Sequence, residues 1–133
     1  MRLVRLGRVS AYEVLAVASG SSVDLLGDWG VSDEMRAMLE IEVPDNGPPW
    51  RNKRRCHKLR NDIWEFLHGR DRVLWFWDAG EPKVGHRLIC THYLFKSTQK
   101  TPKHEIDKAI RIRRRYLELK RSGSLIGPGG SRR

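Results

Sequence analysis

The sequence predicts an α+β domain: a small antiparallel sheet of about four strands, with an N-terminal helical element and a C-terminal helix packed on it. Between residues 59 and 96, segments rich in β-branched and aromatic residues alternate with short turns. Strands joined by short turns favour an antiparallel meander, because parallel neighbours need a long crossover. From residue 102 the pattern changes to apolar residues at helical spacing.

The N-terminal half supplies a first strand and the helical element. Residues 11–17 are typical of a strand. Ser32 or Asp33 is placed to cap a helix over residues 34–40, whose two methionines and one leucine form an apolar stripe. The stretch 44–49 contains three prolines, so we expect a rigid loop there that cannot continue the helix.

The sheet is completed by three further segments. They are residues 59–67, 72–77 and 86–96, with turns at 69–71 and 79–85. Large aromatic side chains in these segments are expected mostly in the core, because burying them removes the most apolar surface from water. These side chains are Trp64, Trp75, Phe76 and Trp77.

The last element is a helix from residue 102 to about residue 121. Thr101 is predicted as its N-cap and Pro102 as its first residue, where a missing N–H costs nothing. One side of the helix should pack on the sheet through Ile106, Ala109, Ile110 and Leu117. We predict that residues 1–121 form a single domain and that the basic tail 122–133 is disordered.

Positive charge is concentrated in the C-terminal part of the chain. The formal net charge is +10, and residues 82–133 hold 14 basic and 3 acidic side chains, whereas residues 1–50 hold 4 and 8. This polarity favours a polyanionic partner, most commonly nucleic acid. A solvated basic helix with a basic tail is the alternative. The turn before the helix carries two lysines, at positions 96 and 100, which suits phosphate binding.

Membrane insertion and export are not expected. No apolar run approaches the roughly 18 residues that a membrane span requires. The first residues lack the long apolar region of a signal peptide. We therefore expect a cytoplasmic protein.

Two cysteines, Cys56 and Cys90, are too few for a disulfide scaffold, and we expect both to be reduced and buried. Cys56 precedes His57, and Cys90 lies two residues before His92, which raises the possibility of zinc. Neither pair has the spacing of the usual structural zinc sites. We therefore expect no metal and no cofactor.

Four motifs in the second half carry a family resemblance. They are Leu59 with Trp64-Glu65, Arg72-Val73-Leu74-Trp75-Phe76, His92 with Lys96, and Thr98-Gln99-Lys100-Thr101-Pro102 with Glu105-Ile106 and Ala109. Over roughly residues 56–118 the chain resembles the RelE/HigB-type toxins of bacterial and phage toxin–antitoxin pairs, in their phage-derived HigB-like branch. The resemblance is most specific in the final motif.

Three positions depart from that family's pattern. Ser97 stands where the second lysine of a Lys-Lys pair is usual, and Leu94 stands where phenylalanine is usual. Leu67 stands where the family commonly has an arginine after its Trp/Tyr-Glu-Leu segment, so a full basic triad is not carried over. Substitutes for that arginine would be Arg60, His68 or Arg70.

The resemblance implies a toxin that cuts mRNA without a metal, usually on the translating ribosome. Such cleavage needs a base for the ribose 2′-OH, cations for the pentacoordinate phosphate and an acid for the leaving 5′-oxygen. Strand alternation places His92 and Lys96 on one face, and Arg72 can point the same way from the neighbouring strand. We assign Arg72, Lys96 and Lys100 to the scissile phosphate and His92 to acid or base catalysis.

Other basic and aromatic side chains are assigned to RNA binding, where an aromatic ring would stack on a splayed base. These are Arg54, Arg55, Lys58, Arg60, Tyr93, His104, Arg111 and Arg115. Tyr93 and His104 are also the reserves for proton transfer. Two of these assignments have a structural alternative. Arg72 could instead pair with Glu65 across the sheet, and His92 could instead be a partly buried histidine with satisfied hydrogen bonds.

The partners implied by the resemblance are a cognate antitoxin, expected to be of the helix-turn-helix type, together with mRNA and the ribosome. One alternative is a toxin of the same superfamily that binds and inhibits DNA gyrase. The basic and histidine residues of the last strand and turn favour cleavage, whereas Ser97 and Leu67 weaken that preference. A second alternative is a basic nucleic-acid-binding regulator, although the sequence has no helix-turn-helix pattern.

Overall fold

The computed structural model describes residues 1–18, 20, 23–79, 86–96 and 100–128. In chain order its elements are β1 (Arg2–Arg5), β2 (Glu13–Ala18), α1 (Leu25–Trp29), α2 (Asp33–Ala37), a π-helical turn (Met38–Glu42), α3 (Val43–Asn46), β3 (Cys56–Lys58), β4 (Trp64–His68), β5 (Asp71–Trp77), β6 (Arg87–Phe95) and α4 (Lys103–Ser122). The α+β class predicted from the sequence is therefore confirmed.

The sheet is larger than predicted and is mixed. It has six strands in the order β1-β2-β6-β5-β4-β3, and β2 runs parallel to β6 while every other pair is antiparallel. The prediction of about four antiparallel strands was wrong for two reasons. β1 and β3 have only four and three residues, too few to show a period. The long chain between β2 and β6 permits a parallel pairing.

Both faces of the sheet are covered. The α1–α3 segment packs on one face with Trp75 and Phe66 in the core, and α4 packs on the other with Phe76 and Leu74. Every residue of β5 is buried, as expected for a strand near the centre of a sheet covered on both sides. The aromatic residues predicted for the core lie there, with Trp64 half-buried at its edge. Cys56 and Cys90 are both buried free thiols, as predicted.

The helical element is longer than predicted. Ser32 caps α2, its side chain accepting a hydrogen bond from the Met35 N–H at 3.1 Å. The helix then continues through the π-helical turn into α3, which contains Pro44 and ends at Gly47. The expected loop at residues 44–49 was therefore placed too early. A proline in a regular α-helix clashes with the carbonyl four residues back, and the wider π-helical turn just before Pro44 relieves that clash.

One glycine is required by a close backbone contact. Gly7 follows β1 with a φ of +69°, and a Cβ atom built there would lie 2.1 Å from the Glu40 carbonyl oxygen. The end of β1 thus packs directly on the π-helical turn. Only a residue without a side chain fits at this point.

The C-terminal helix begins one residue later than predicted. Pro102 occupies the capping position without a side-chain hydrogen bond, and α4 starts at Lys103. The Thr101 hydroxyl is directed to Glu65 instead, so the prediction that Thr101 caps the helix was wrong. The hydroxyl donates to the buried carboxylate of Glu65 and accepts from Lys96 Nζ, the role that a helix N–H would have in a cap.

The start of the tail is connected to the sheet. Leu125 is fully buried, and Ile126 pairs with β1 through a backbone bond from the Leu3 N–H of 2.8 Å. One leucine and one strand-like bridge thus connect this part of the tail to the sheet, while the disorder expected for residues 122–133 stays a prediction. Residues 129–133 lie outside the described part of the chain. Among the described ranges, no helix combines the length and apolarity needed to span a membrane.

A candidate cationic cleft beside a buried charge cluster

An open cleft of ≈ 510 Å³ lies between the end of β3 and the start of α4. Its described lining consists of His57, Lys58, Leu59, Arg60, Lys100, Thr101, Lys103 and Ile106. Four of these residues are lysine or arginine and none is a carboxylate. We call this feature the cationic cleft.

The charges along the cleft wall have limited compensation. Arg60 forms an ion pair with Asp107 on α4, and Lys58 lies 3.6 Å from Asp62. The pKa of Asp107 is lowered, first by its hydrogen bond from Arg60 and further by nearby positive charges, including Lys103. The described lining thus holds four lysine and arginine side chains, of which Lys58 and Arg60 are paired with Asp62 and Asp107.

A buried carboxylate lies beneath the cleft. Glu65 on β4 has no exposed surface, and its Oε2 accepts a hydrogen bond from the Thr101 hydroxyl. The same hydroxyl accepts a hydrogen bond from Lys96 Nζ at 3.3 Å. Lys96 is 6% exposed, and burial lowers its pKa, with Arg72 acting in the same direction and Glu65 opposing. Thr101 therefore joins the floor of the cleft to a buried ion cluster.

Arg72 is the second cation of this cluster. It is 7% exposed, and its Nη1 donates to the carbonyls of Gly69 at 2.6 Å and Asp71 at 2.8 Å. Its Nε lies 3.9 Å from Glu65 Oε1, too far for a hydrogen bond. The pairing of Arg72 with Glu65, kept open from the sequence, is thus present as an ion pair on the α4 face of the sheet.

His57 reaches the same carboxylate from the cleft side. Its Nε2 lies 2.9 Å from Glu65 Oε1, and its Nδ1 lies 3.2 Å from the Lys53 carbonyl oxygen. One third of its side chain is exposed to solvent. His57 is therefore the point where the buried cluster meets the open cleft.

His92 is placed by a bulge in β6. Leu74 pairs with His92 and Trp75 with Cys90, so Thr91 has no opposite residue on β5. This extra residue turns His92 toward α4, away from the face that holds Cys90. Its Nδ1 contacts the Thr91 hydroxyl at 2.9 Å, and burial lowers its pKa to about 4, with a further contribution from Lys108. At neutral pH the ring is uncharged.

The four residues predicted as catalytic are therefore divided by the structure. Arg72, His92 and Lys96 share one face of the sheet, as alternation predicted, but each is at most 7% exposed. Lys100 alone among them is exposed and lines the cleft. Among the described residues, the shortest contacts of the buried three are with carbonyl and hydroxyl oxygens of the protein. The carboxylates of Glu65 and Glu105 lie farther away, 3.9 Å from Arg72 and 3.8 Å from His92 respectively.

The residues predicted to bind RNA are also spread over several places. Lys58 and Arg60 line the cleft. Arg55 pairs with Glu42 of the helical element, whereas Arg54, His104, Arg111 and Arg115 are exposed outside the cleft lining.

Tyr93 lies on the face of the sheet that the helical element covers. Its hydroxyl donates to Asp71 Oδ1 at 2.7 Å, and its ring stacks on Trp29 with centroids 6.4 Å apart. Burial and the contact with Asp71 raise its pKa to about 12. Tyr93 anchors the helical element to the sheet and does not join Lys100 or His92.

Three residues of the site were not assigned from the sequence. The sequence suggests His57 only as a zinc candidate and Thr101 as a helix cap, and it assigns no role to Lys103. The sequence signal that could have indicated partners such as His57 and Thr101 is Glu65 in the Trp-Glu motif. A carboxylate buried in a strand requires cationic or hydroxyl side chains beside it. The departures at Leu67 and Ser97 have different outcomes: Leu67 is buried, and Ser97 lies outside the described residues.

The fold and the site define a small basic α+β protein with a positively charged cleft above a buried charge cluster. The family model for the phage-derived Gp49-like proteins matches residues 30–114, and the chain belongs to this family. The family is toxin-like and of the RelE/HigB type, which agrees with the resemblance seen in the second half of the sequence. A search of curated proteins gave no match.

Proposed function

We propose that this protein is the toxin of a toxin–antitoxin pair and that it cleaves mRNA on the translating ribosome without a metal. The observation that carries the proposal is the cationic cleft, which presents lysine and arginine side chains beside a partly exposed histidine. Cations stabilise the pentacoordinate phosphate, and an ionisable side chain supplies proton transfer. The family supports the toxin role, and the mechanism rests on the cleft.

The scissile phosphate would bind between the two walls of the cleft. Lys100 and Lys103 approach it from the α4 side, and Lys58 approaches it from the β3 side. The apolar side chains of Leu59 and Ile106 line the space between them and would contact a ribose or base. This arrangement suits one nucleotide of a single strand better than a duplex, because a duplex cannot enter a cleft of this size.

The buried residues take a supporting role in this proposal. Lys96 holds Thr101, and Arg72 holds the strand turn at Gly69 and offsets the charge of Glu65. Neither side chain reaches the phosphate without rearrangement. His92 is uncharged at neutral pH because its pKa is about 4, so it is a poor proton donor there.

The cleft also accounts for the proposed partners. Ribosomal RNA and mRNA are polyanions and would be attracted by the basic half of the chain. A cognate antitoxin, expected to be of the helix-turn-helix type, would neutralise the toxin by covering the same positive surface. Aspartate and glutamate side chains of the antitoxin would occupy the positions in the cationic cleft that phosphate groups of RNA take.

Cleavage on programmed ribosomes tests the proposal. The purified protein is incubated with stalled translation complexes, and new RNA ends are mapped and their chemistry determined. We expect cuts within codons that leave 5′-hydroxyl ends, since attack by the ribose 2′-OH expels the 5′-oxygen. No cuts, or cuts with 5′-phosphate ends, would contradict the proposal. Inhibition of gyrase supercoiling without RNA cleavage would favour the gyrase alternative.

The variant pair Lys100→Gln and Arg8→Gln serves as a matched comparison in that assay. Both substitutions remove one positive charge from an exposed position. Arg8 lies outside the cleft and pairs with Asp45 at 3.2 Å. Loss of Lys100 should reduce cleavage at least about tenfold, and loss of Arg8 should leave it unchanged.

A further inference from the structure

We propose that His57 is the general acid that protonates the leaving 5′-oxygen and that Glu65 is its positioning residue. The inference rests on the proposed function and specifies its proton-transfer group. It transfers the acid role from His92, predicted from the sequence, to a residue that the resemblance did not assign.

Accessibility is the first step of the argument. Of the described histidines, His57 is the one that lines the cationic cleft, and its side chain is 33% exposed. The His92 side chain is 9% exposed and lies under α4, with Glu105 Oε1 3.8 Å from its Nε2. A proton donor has to reach within hydrogen-bond distance of the substrate, which His57 can do from its present position.

The second step concerns the acceptors that face the two ring nitrogens of His57. Its Nδ1 faces the Lys53 carbonyl oxygen at 3.2 Å, and its Nε2 faces Glu65 Oε1 at 2.9 Å. A carbonyl oxygen and a carboxylate both accept hydrogen bonds, so each nitrogen needs a proton to be satisfied. The neutral ring has one N–H, whereas the imidazolium has two. The site therefore offers an acceptor to a proton on either ring nitrogen.

The third step is that Glu65 supplies a charge rather than a proton. Its Oε2 already accepts from the Thr101 hydroxyl, and Arg72 Nε lies 3.9 Å from its Oε1. No aligned hydrogen bond reaches Oε1 from the described residues, and His57 Nε2, at 2.9 Å, lies closer to this buried oxygen than Arg72 Nε does. A buried carboxylate behind an imidazole fixes the orientation of the ring.

The chemistry balances with these groups. The 2′-oxygen attacks phosphorus as its proton leaves to solvent water, so that a 2′-O–P bond forms and the P–O5′ bond breaks. His57 gives the proton on Nδ1, the nitrogen with the long and exposed hydrogen bond, to the departing 5′-oxygen. The ring then keeps its Nε2–H toward Glu65 and regains a proton from water. The products are a 2′,3′-cyclic phosphate and a 5′-hydroxyl.

The test replaces the leaving oxygen by sulfur at one mapped cleavage site in an mRNA on the ribosome. A thiolate leaves without protonation, so a general acid is not required for that linkage. We expect His57→Gln to slow cleavage of the oxygen linkage by about 10²–10⁴-fold. On the sulfur linkage the same variant should cleave within a few-fold of the wild type.

A binding residue serves as the comparison. Lys58→Gln removes a neighbouring cleft cation and should slow both linkages by the same factor. Equal losses for His57→Gln on the two linkages, or no loss on oxygen, would overturn the acid assignment. A wild-type protein that cuts neither linkage would instead refute the proposed function itself. Circular dichroism monitors the fold, and His57→Asn, with a smaller side chain, repeats the comparison if His57→Gln is unfolded.

Discussion

The Nε2 atom of His57 lies 2.9 Å from a carboxylate oxygen of Glu65, a residue with no exposed surface. This pair joins the solvent-filled cleft to the buried cluster, because the other Glu65 oxygen accepts from Thr101, which also binds Lys96. A change at any of these positions should therefore alter both stability and the orientation of His57.

Removal of the Thr101 hydroxyl should destabilise the protein. In Thr101→Val the shape is kept, but Glu65 loses a donor and Lys96 loses an acceptor. Leaving buried polar groups unsatisfied costs about 1–3 kcal/mol in the free energy of unfolding. Urea denaturation measures it, and Thr101→Ser, which keeps the hydroxyl, should recover most of the loss. If Thr101→Val were as stable as the wild type, the hydrogen bonds that link Glu65, Thr101 and Lys96 would not be formed.

The salt dependence of RNA binding should report on the cleft cations. Each phosphate contact releases counterions, so log K against log salt has a slope of about −0.7 per contact for a single strand. The double variant Lys58→Gln/Lys103→Gln should make the slope less steep by about 1.4. Fluorescence anisotropy with a short single-stranded RNA measures it. An unchanged slope would place the RNA elsewhere on the basic surface, and Arg8→Gln is the control.

Stability should fall between pH 6.5 and pH 4 because of His92. Its pKa is 6.5 when unfolded and about 4 in the folded protein, so the unfolded state binds more protons in this window. The free energy of unfolding is then highest above pH 6.5 and decreases by about 3 kcal/mol as pH falls through about 4.

The variant His92→Asn isolates this contribution, since it cannot titrate. Its stability should change less than that of the wild type over the same pH range, measured by denaturation at several pH values. Parallel curves for the two proteins would mean that His92 is accessible enough to be protonated in the folded state. That result would return His92 to consideration as a catalyst.

The contact of Gly7 with the π-helical turn makes a strong stability prediction. Gly7→Ala adds a Cβ 2.1 Å from the Glu40 carbonyl oxygen at a positive φ, whereas Gly30→Ala has the same φ problem with open space around it. We expect about 1 kcal/mol for Gly30→Ala and at least about 2 kcal/mol for Gly7→Ala. Thermal unfolding compares them, and equal losses would remove the case for close packing here.

Much of the fold could be predicted from the sequence, and the misses have physical causes. β5, β6 and α4 are long enough for their apolar periods to be visible, so their bounds were predicted within a residue or two. β1 and β3 are stabilised by pairing with longer neighbours rather than by their own sequence. The parallel pairing of β2 with β6 depends on tertiary contacts that no local pattern contains.

The candidate site was predicted in part. Alternation correctly placed Arg72 and His92 on one face, because the period of a strand depends on the backbone alone. It did not show how deeply α4 would bury them. The local sequence predicts Thr101 as a helix cap, whereas the buried carboxylate that accepts its hydroxyl hydrogen bond is 36 residues away. The role of His57 depends on the pairing of β3 with β4, which sets His57 opposite Glu65, and β3, with three residues, is too short to be predicted.

Expression of the chain from a tight inducible promoter, with genome-wide mapping of mRNA 5′ ends, tests the central claim most directly. The account predicts growth arrest together with new 5′-hydroxyl ends inside translated codons for the wild type. Both effects should be lost in His57→Gln and kept in Arg8→Gln, at equal protein levels. Arrest without new RNA ends, or full cutting by His57→Gln, would contradict the account.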